Sequence, residues 1–254
     1  MEQFRKIAIV TGGSRGLGKN MALSLAKKGL DVILTYNSKK DEAENVVKEI
    51  QHLGQKAAIL QLDVADVKSF DAFFVQLEHI LKETFATDKI EFLVNNAGTG
   101  VHAPFSATSE AQFDAMVNVH FKGAFFLTQK LLPIMANGGG IVNISSGLTR
   151  FSFHGYAAYA SMKGAIEVLT KYQAKELGER KIRVNVVAPG AIETDFGGGA
   201  VRDNADLNSR LASMIALGRV GLPDDIGGVV AFLCTDDAKY LNGQRIEVSG
   251  GTSL

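Results

Sequence analysis

Residues 11–18 read Thr11-Gly12-Gly13-Ser14-Arg15-Gly16-Leu17-Gly18. They follow the apolar run Ile7-Ala8-Ile9-Val10, and the apolar residues Leu17, Met21 and Leu25 recur behind them at helical spacing. This pattern predicts a strand, a glycine turn and a helix. In such a turn Gly12, Gly16 and Gly18 allow the backbone to approach a ligand closely, and the helix N-terminus favours a pyrophosphate. Because the glycine spacing departs from the commoner dinucleotide fingerprint, a plain glycine-rich turn is the alternative.

The same alternation of strand and helix continues along the chain. Apolar and β-branched runs predict strands at 6–11, 31–36, 57–62, 91–95, 140–144, 183–188 and 244–248, and helical periodicity predicts helices at 41–53, 67–85, 110–135, 159–177 and 223–234. Regular alternation of this kind implies parallel strands with right-handed crossovers. We therefore predict an α/β fold, a single Rossmann-type doubly wound parallel sheet with helices on both faces. One domain is expected over residues 1–254, with a mobile lid at about 190–215, where the sequence is irregular and glycine-rich.

Composition narrows the partners. The 27 lysines and arginines balance the 27 aspartates and glutamates, which removes the electrostatic argument for nucleic acid or an anionic membrane. The chain has one cysteine, Cys234, in an apolar run, and its first six residues lack the apolar core of a signal peptide. No run of about 18 apolar residues is present. These features predict a cytoplasmic protein that binds a small molecule, and no cluster has metal-ligand spacing.

The end of the second strand bears on the choice of nucleotide. Enzymes that prefer NAD place an acid there to bind the ribose 2′-hydroxyl, but here Tyr36 is followed by Asn37 and Ser38. With Ser14 and Arg15 in the glycine loop, this favours NADP, with NAD as the alternative. Further along, Asp63-Val64 is predicted to meet the adenine edge, although a helix N-cap explains Asp63 as well. Asn95, Ala97 and Gly98, in Asn95-Asn96-Ala97-Gly98, suit a tight approach to the nucleotide.

Tyr159 and Lys163 stand four residues apart in a helix-forming segment, so both side chains emerge on one side of one turn. An ammonium within a few ångströms favours the phenolate and lowers the pKa of a tyrosine, which makes it a better proton shuttle. Tyr156 is a rival, but Ala160 stands where its lysine would be.

In this order, the motifs resemble those of the short-chain dehydrogenase/reductase family, in its subgroup of chains of about this length. The resemblance covers essentially the whole chain and rests on Thr11 to Gly18, Asp63, Asn95 to Gly98, Asn118, Ser146, Tyr159, Lys163, Asn185 and Pro189-Gly190. It implies an NADP(H)-dependent oxidoreductase that interconverts a ketone or aldehyde and an alcohol. By position, Tyr159 resembles the general acid/base, Lys163 the residue that lowers its pKa and holds the nicotinamide ribose, and Ser146, rather than Ser145, the hydroxyl that orients the carbonyl.

Two further assignments come with the resemblance. Asn118 matches the asparagine that holds a water for the proton relay, so the implied catalytic set is Asn118, Ser146, Tyr159 and Lys163. The segment with Pro189, Gly190, Ile192 and Thr194 is implied to hold the nicotinamide carboxamide. The full set implied to bind cofactor is Gly12, Ser14, Arg15, Gly16, Leu17, Gly18, Asn37, Ser38, Asp63, Val64, Asn95, Ala97, Gly98, Tyr159, Lys163, Pro189, Gly190, Ile192 and Thr194.

The substrate pocket is predicted from residues 99–104, 147–156 and the lid, which bring apolar residues such as Phe151, Phe153 and Phe196 beside Arg150 and His154. Family members usually form tetramers, which implies a homo-oligomer here. Two alternatives stay open. One is a 3-oxoacyl carrier-protein reductase of the same family, for which the expected basic docking surface is thin, with Arg180 and Lys181 at one helix end. The other is a non-catalytic dinucleotide sensor.

Overall fold

The computed structural model describes residues 5–254, so the prediction about the start of the chain falls partly outside it. Seven strands form one parallel sheet in the order β3-β2-β1-β4-β5-β6-β7. The strands are β1 Ile7–Val10, β2 Asp31–Tyr36, β3 Ala57–Gln61, β4 Ile90–Asn95, β5 Met135–Ile144, β6 Arg183–Pro189 and β7 Arg245–Val248. The order reverses direction at β1 and β4, where ligands bind in open α/β sheets. The predicted doubly wound fold is confirmed.

The helices cover both faces of the sheet. They are α1 Gly16–Lys27, α2 Lys40–His52, α3 Phe70–Phe85, α4 Glu110–Val117, α5 Gly123–Leu131, α6 Ala157–Glu176, α7 Ala200–Asp203, α8 Ala205–Ala212 and α9 Pro223–Leu233. Alternate residues of β1 enter different cores: Ala8 and Val10 pack towards α1, α2 and α9, whereas Ile7 and Ile9 pack towards α3 and α5. Each apolar strand is thus buried on both sides, as a parallel sheet requires.

The predicted helix over 110–135 is wrong in detail. The structure divides it into α4, a π-helical segment Asn118–Lys122 and α5, followed by a short 3₁₀ turn at Leu132–Ile134. Strand β5 then begins at Met135, five residues before the predicted start. The reason is an irregularity in the pairing of β4 with β5, where Ile90 faces Met135 but Phe92 faces Gly140. The glycine run there resembles a turn in sequence, yet Gly139 lies so close to the Glu91 carbonyl that a methyl group would stand 2.2 Å from it.

The segment predicted as an irregular lid is largely helical. A 3₁₀ turn at Phe196–Gly199 leads into α7 and α8, and the Asn204 side chain caps α8 by accepting a hydrogen bond from the Leu207 amide at 2.9 Å. Gly197, Gly198 and Gly199 all have positive φ, a conformation that other residues rarely adopt. Short helices between glycines have too little periodicity to be recognised in sequence.

Candidate active site

The glycine loop closes tightly over the start of α1. Gly12 and Gly16 have φ values of +65° and +55°, which favour glycine. Gly18 has no such strain but has no room either, since a methyl group there would lie 2.1 Å from the Gly12 carbonyl oxygen. The loop therefore presents bare backbone at the N-terminus of α1, the arrangement that suits a pyrophosphate.

The segment after β4 holds this loop in place. The Thr11 hydroxyl accepts hydrogen bonds from the amides of Asn96 and Ala97 at 3.0 and 2.9 Å, and the Asn96 side chain donates to the Thr11 carbonyl at 2.8 Å. Asn96 is not one of the predicted site residues, although it lies within the predicted segment. Its neighbour Asn95 points the other way.

Asn95 belongs to a buried polar chain beneath the sheet edge rather than to the surface of the nucleotide crevice. Its side-chain amide donates to Thr128 at 3.0 Å and to Asn143 at 2.8 Å, and Asn143 donates in turn to Thr170 and Gln173. The prediction that Asn95 binds cofactor with its side chain is therefore not supported by its orientation. Its amide instead ties β4 to β5 and α5.

The end of β2 has no carboxylate at the surface. Tyr36 is buried, whereas Asn37 and Ser38 are exposed beside the glycine loop's side of the sheet. Arg15 is the residue preceding α1 and is about half exposed, with its guanidinium 3.7 Å from Asp195 of the lid segment. A negatively charged group near the ribose would meet Arg15 and hydroxyl or amide groups here, without a facing acid on β2.

Asp63 and Val64 follow β3, at the same edge of the sheet. The Asp63 carboxylate accepts a hydrogen bond from the Ala65 amide at 2.9 Å, which is the capping role that the sequence left open. Val64 is buried, and its carbonyl lies against Gly123 at the start of α5. The structure thus gives both residues a role in the turn.

The segment after β6 lies opposite the glycine loop. Pro189 ends the strand, Gly190 packs on Ser249, and Ile192 pairs with Gly221. The Thr194 hydroxyl accepts from the Phe196 amide at 3.2 Å, and Thr194 faces Gly16 across the crevice, since a methyl group on Gly16 would lie 3.7 Å from the Thr194 Cβ. These two loops therefore form the walls of one cleft.

Tyr159 and Lys163 both lie buried on the same side of α6, 8% and 5% exposed. The Lys163 ammonium donates to the Ile144 carbonyl at 2.8 Å and stands 5.5 Å from the centre of the Tyr159 ring. Burial lowers the pKa of Lys163 to about 7 and raises the pKa of Tyr159 to about 12, while a hydrogen bond with Ser146 opposes the latter rise. The expected lowering of the Tyr159 pKa by Lys163 is wrong for this structure, because desolvation of both groups outweighs their interaction.

The structure distinguishes the two serines. Ser145 is buried and donates to the Glu167 carboxylate at 2.7 Å, within a network that also includes Thr149 and Arg245. Ser146 lies beside Tyr159 and accepts a hydrogen bond from the Leu148 amide at 3.2 Å. Ser146 is thus the hydroxyl that shares a carbonyl-sized space with Tyr159, as the spacing predicts.

Asn118 is the one member of the implied catalytic set that the structure does not bring to the others. A small cavity beside Lys163 is lined by Thr11, Asn95, Ala97, Val119, His120 and Asn143, among others, but not by Asn118. His120 is 3% exposed, and its ring lies edge-on to Tyr159 with centres 5.1 Å apart. Sequence reasoning missed His120. The buried positions Met116, His120, Gly123, Leu127 and Leu131 are spaced by four, three, four and four residues, a periodicity that places His120 on the inward face.

Aromatic rings surround the space in front of Tyr159. The Phe196 ring lies 5.6 Å from that of Tyr159. Tyr156, at the start of α6, lies edge-on to His102 at 5.0 Å, and Phe151 lies 5.3 Å from Phe153. The rival role for Tyr156 finds no support, since its contact is His102 rather than a lysine.

Arg150 does not face this space. Its guanidinium pairs with Glu247 at 2.8 Å and donates to the carbonyls of Thr252 and Ser253. The hydrogen bond with Glu247 raises the pKa of Arg150. Arg150 therefore anchors the C-terminal segment behind the site, and His154 is exposed.

Residues 5–254 offer neither a metal cluster nor a membrane span. No group of three or more histidine, cysteine, aspartate or glutamate side chains in that range is arranged to hold a metal ion. None of the helices in the same range is both long and apolar enough to span a bilayer.

Comparison with known proteins identifies the family. Residues 12–253 match the family model described as enoyl-(acyl carrier protein) reductase, a group of short-chain dehydrogenase/reductases. The chain belongs to the short-chain dehydrogenase/reductase family. It is 36% identical to a hydroxynaphthalene reductase-like protein of Metarhizium majus, over 97% of this chain and 94% of that one. It is 37% identical to the 3-oxoacyl-[acyl-carrier-protein] reductase of Staphylococcus epidermidis, over 98% of this chain and 99% of that one.

Among solved structures, the landomycin C-6 ketoreductase LanV with bound NADP and rabelomycin superposes with a TM-score of 0.89. The two sequences are 36% identical, and the match covers 98% of this chain and 96% of LanV. The short-chain reductase therefore has relatives that act on ring-bearing ketones and a relative that acts on acyl carrier protein, and its own site must decide between them.

Proposed function

We propose that the protein is an NADP(H)-dependent reductase of ketones and aldehydes, with Tyr159 as the proton donor. The observation that carries this proposal is the convergence of Tyr159, Ser146 and Lys163 at the carboxyl edge of the sheet, beside the glycine loop. The high pKa of Tyr159, about 12, keeps its phenol protonated at neutral pH. A protonated phenol and the Ser146 hydroxyl together polarise a carbonyl oxygen and then supply its proton.

The residues fit a dinucleotide. Gly12, Gly16 and Gly18 leave a cradle that side chains would fill, and the N-terminus of α1 faces it. Lys163 and the segment from Pro189 to Thr194 would hold the nicotinamide half. When bound, the cofactor supplies the hydride. The roles of the protein are to hold Tyr159 and Ser146 on one side of the carbonyl and to exclude water with the lid.

NADP rather than NAD is favoured by the end of β2. Asn37 and Ser38 are exposed there, Arg15 stands beside them in the loop, and no acidic residue follows Tyr36 directly. LanV, a relative by structure, was solved with NADP. We expect kcat/KM to be higher with NADPH than with NADH, and Arg15→Ala to reduce this preference. Lys28→Ala, at the opposite end of α1 and about 18 Å away, is the matched control and should leave it unchanged. A preference for NADH would refute the assignment.

For the substrate, the aromatic walls favour a ketone that carries a ring. Phe196 over Tyr159, the Tyr156–His102 pair and the Phe151–Phe153 pair line this space, and aromatic groups stack well on such rings. NADPH oxidation measured with α-tetralone, a linear ketone, a linear aldehyde and acetoacetyl-CoA tests this. We expect α-tetralone to have the highest kcat/KM. The sensor alternative predicts no oxidation with any of them.

The second candidate, a 3-oxoacyl carrier-protein reductase, rests on the 37% identity with the Staphylococcus epidermidis enzyme. Against it, the basic surface expected for an acidic carrier is weak here. Arg180 is occupied within the fold, because it donates to the Asn137 side chain and to the carbonyls of Leu132 and Met135. Faster turnover with a 3-oxoacyl carrier protein than with free ketones would favour this candidate.

We also propose a cytoplasmic homotetramer formed by one domain per chain. The helices that family members use for association carry exposed apolar side chains in this chain: Phe113 on α4, Phe125 and Phe126 on α5, and Val168 and Tyr172 on α6. Exposed apolar side chains of this number are typical of an interaction surface. Sedimentation equilibrium tests the assembly, and a monomer at micromolar concentration would contradict it. The single cysteine, buried in α9's C-terminal cap, is consistent with a reducing compartment.

A further inference from the structure

His120 is held in one orientation inside the site. Its Nε2 lies 2.6 Å from the carbonyl oxygen of Thr99, and its ring stands at 90° to the ring of Tyr159. The space for the ring depends on Gly98, where a methyl group would lie 2.8 Å from the His120 Cε1. The segment after β4 therefore both receives the imidazole and fixes how it turns.

The contact with Thr99 determines which nitrogen is the acceptor. The Thr99 carbonyl oxygen, which only accepts, is much closer to Nε2 than the Thr99 amide, which lies at 3.4 Å. The hydrogen of the neutral ring is therefore on Nε2, and Nδ1 has a free lone pair. Nδ1 is fully buried and has no hydrogen-bond partner among the described residues. A buried acceptor without a partner is unfavourable by about 1–3 kcal/mol, so a partner is expected.

The partner's place is the cavity that His120 and Lys163 line together. Its volume is about 10 Å³, the space of roughly one water molecule, and its walls also carry the polar groups of Thr11, Asn95 and Asn143. Asn95 contributes a second buried oxygen, Oδ1, that has no partner among the described residues. Two acceptors and an ammonium around a space of this size are a suitable site for one ordered water.

We propose that His120, not Asn118, completes the site as a positioning residue: its Nδ1 accepts a hydrogen bond, through one water, from the Lys163 ammonium. This inference rests on the proposed reductase function. Lys163 has three hydrogens, of which one is given to the Ile144 carbonyl, and His120 directs a second. In reduction the Tyr159 phenol gives its proton to the carbonyl oxygen, and the water beside Lys163 is the route by which a proton from solvent restores it.

Asn118 is on the wrong side for this role. Two residues of helix correspond to about 200° of rotation, so Asn118 and His120 point in nearly opposite directions. His120 shares its face with the buried residues Met116 and Leu127, whereas Asn118 is only partly buried. The π-helical segment that begins at Asn118 adds a residue to this turn, and such segments are frequent at functional sites.

His120 itself neither gains nor loses a proton. Burial lowers its pKa to about 3, and the charge of Lys163 acts in the same direction. The groups that face Lys163 are Tyr159 on its own helix and His120 from the π-helical segment, while Glu167, one turn along α6, is occupied by Ser145, Thr149 and Arg245. A permanently neutral acceptor is what a cationic lysine needs in a buried site.

The first test compares His120→Phe, which keeps a ring but no acceptor, with His120→Asn, which keeps an acceptor. We expect His120→Phe to lower kcat on the order of 10²-fold, with the basic limb of the kcat profile moved down by about one pH unit, because the ammonium loses a partner. His120→Asn should restore most of the rate and the position of the limb. His79→Phe, an exposed histidine of α3, is the matched control. Equal loss in both His120 variants with an unmoved limb would overturn the proposal, as would a larger displacement of the limb by Asn118→Ala.

The second test does not depend on turnover. In ¹⁵N-histidine NMR spectra, one of the five histidines should keep a hydrogen on Nε2 and a bare Nδ1 from pH 8 to pH 5, and its signal should be absent from the His120→Asn spectrum. Lys163→Met should move the Nδ1 resonance of that histidine, since the donor is removed. A His120 that titrates near pH 6.5, or an Nδ1 resonance indifferent to Lys163→Met, would refute the proposal. If wild type reduces no carbonyl, the proposed function fails, and this spectrum still decides the role of Nδ1.

Discussion

Lys163 should lower the stability of the cofactor-free protein, and replacing it should show by how much. Burial lowers the pKa of its ammonium from 10.5 to about 7, and its one protein hydrogen bond goes to the Ile144 carbonyl. Lys163→Met removes the charge and keeps an unbranched side chain of similar length. The variant should be inactive but more stable than wild type at neutral pH.

The magnitude follows from the two pKa values. Below about pH 7 the ammonium is charged in both the folded and the unfolded chain, so the whole burial penalty is present, on the order of 5 kcal/mol. From pH 7 to 10.5 only the unfolded chain binds the proton, so the penalty of charging the buried amine is avoided and the net cost of folding the lysine shrinks only relative to the unfolded ammonium as pH rises. Met leaves the Ile144 carbonyl without a donor, which costs about 1–3 kcal/mol at every pH. The variant should therefore be more stable by about 2–4 kcal/mol at pH 6, and by about 3 kcal/mol less than that at pH 9.

Urea denaturation at pH 6 and pH 9, at one protein concentration, measures both quantities. Lys171→Met, at an exposed position of the same helix, is the control and should change the free energy of unfolding by no more than about 0.5 kcal/mol at either pH. If Lys163→Met is less stable than wild type at pH 6, or if its advantage does not depend on pH, burial of the ammonium does not govern the stability change.

Three further outcomes are expected. Tyr159→Phe should abolish turnover while NADPH still binds in a fluorescence titration; near-normal turnover would remove Tyr159 from its role. Gly18→Ala should weaken NADPH binding at least about 10-fold, because its methyl group meets the Gly12 carbonyl, whereas Gly164→Ala, with open space around it, should not. NADPH should slow hydrogen exchange over residues 195–215, since Asp195 links this segment to the glycine loop, and unchanged exchange would count against a lid.

Most of the fold could be predicted from the sequence, because its strands are buried on both sides and its helices have one apolar face. Strand β2 and the start of β3 lie where the apolar runs place them. The start of β5 could not be predicted, since the residues that pair with β4 there are Asn137 and three glycines, which resemble a turn. What decides their conformation is the close contact with Glu91, a neighbour 48 residues away in sequence.

Of the site, the sequence predicted the residue types better than their surroundings. The spacing of Tyr159 and Lys163 puts both on one face of α6, as expected, but their pKa values depend on burial, which spacing does not reveal. Likewise the paired asparagines after β4 are expected from sequence to act together. Asn96 holds the glycine loop while Asn95 joins a buried chain, because successive residues at the end of a strand point to opposite faces.

The choice between Asn118 and His120 shows where motif and periodicity disagree. The family motif asks for an asparagine, and Asn118 supplies one, but a motif fixes residue types along the chain and not the direction in which a helix presents them. Periodicity does fix direction: Met116, Gly123 and Leu127 define the inward face, and His120 is the polar residue on it. A histidine buried on an apolar face is unfavourable unless both ring nitrogens are satisfied. The Thr99 carbonyl satisfies one of them, so the group that satisfies the other must lie in the space shared with Lys163.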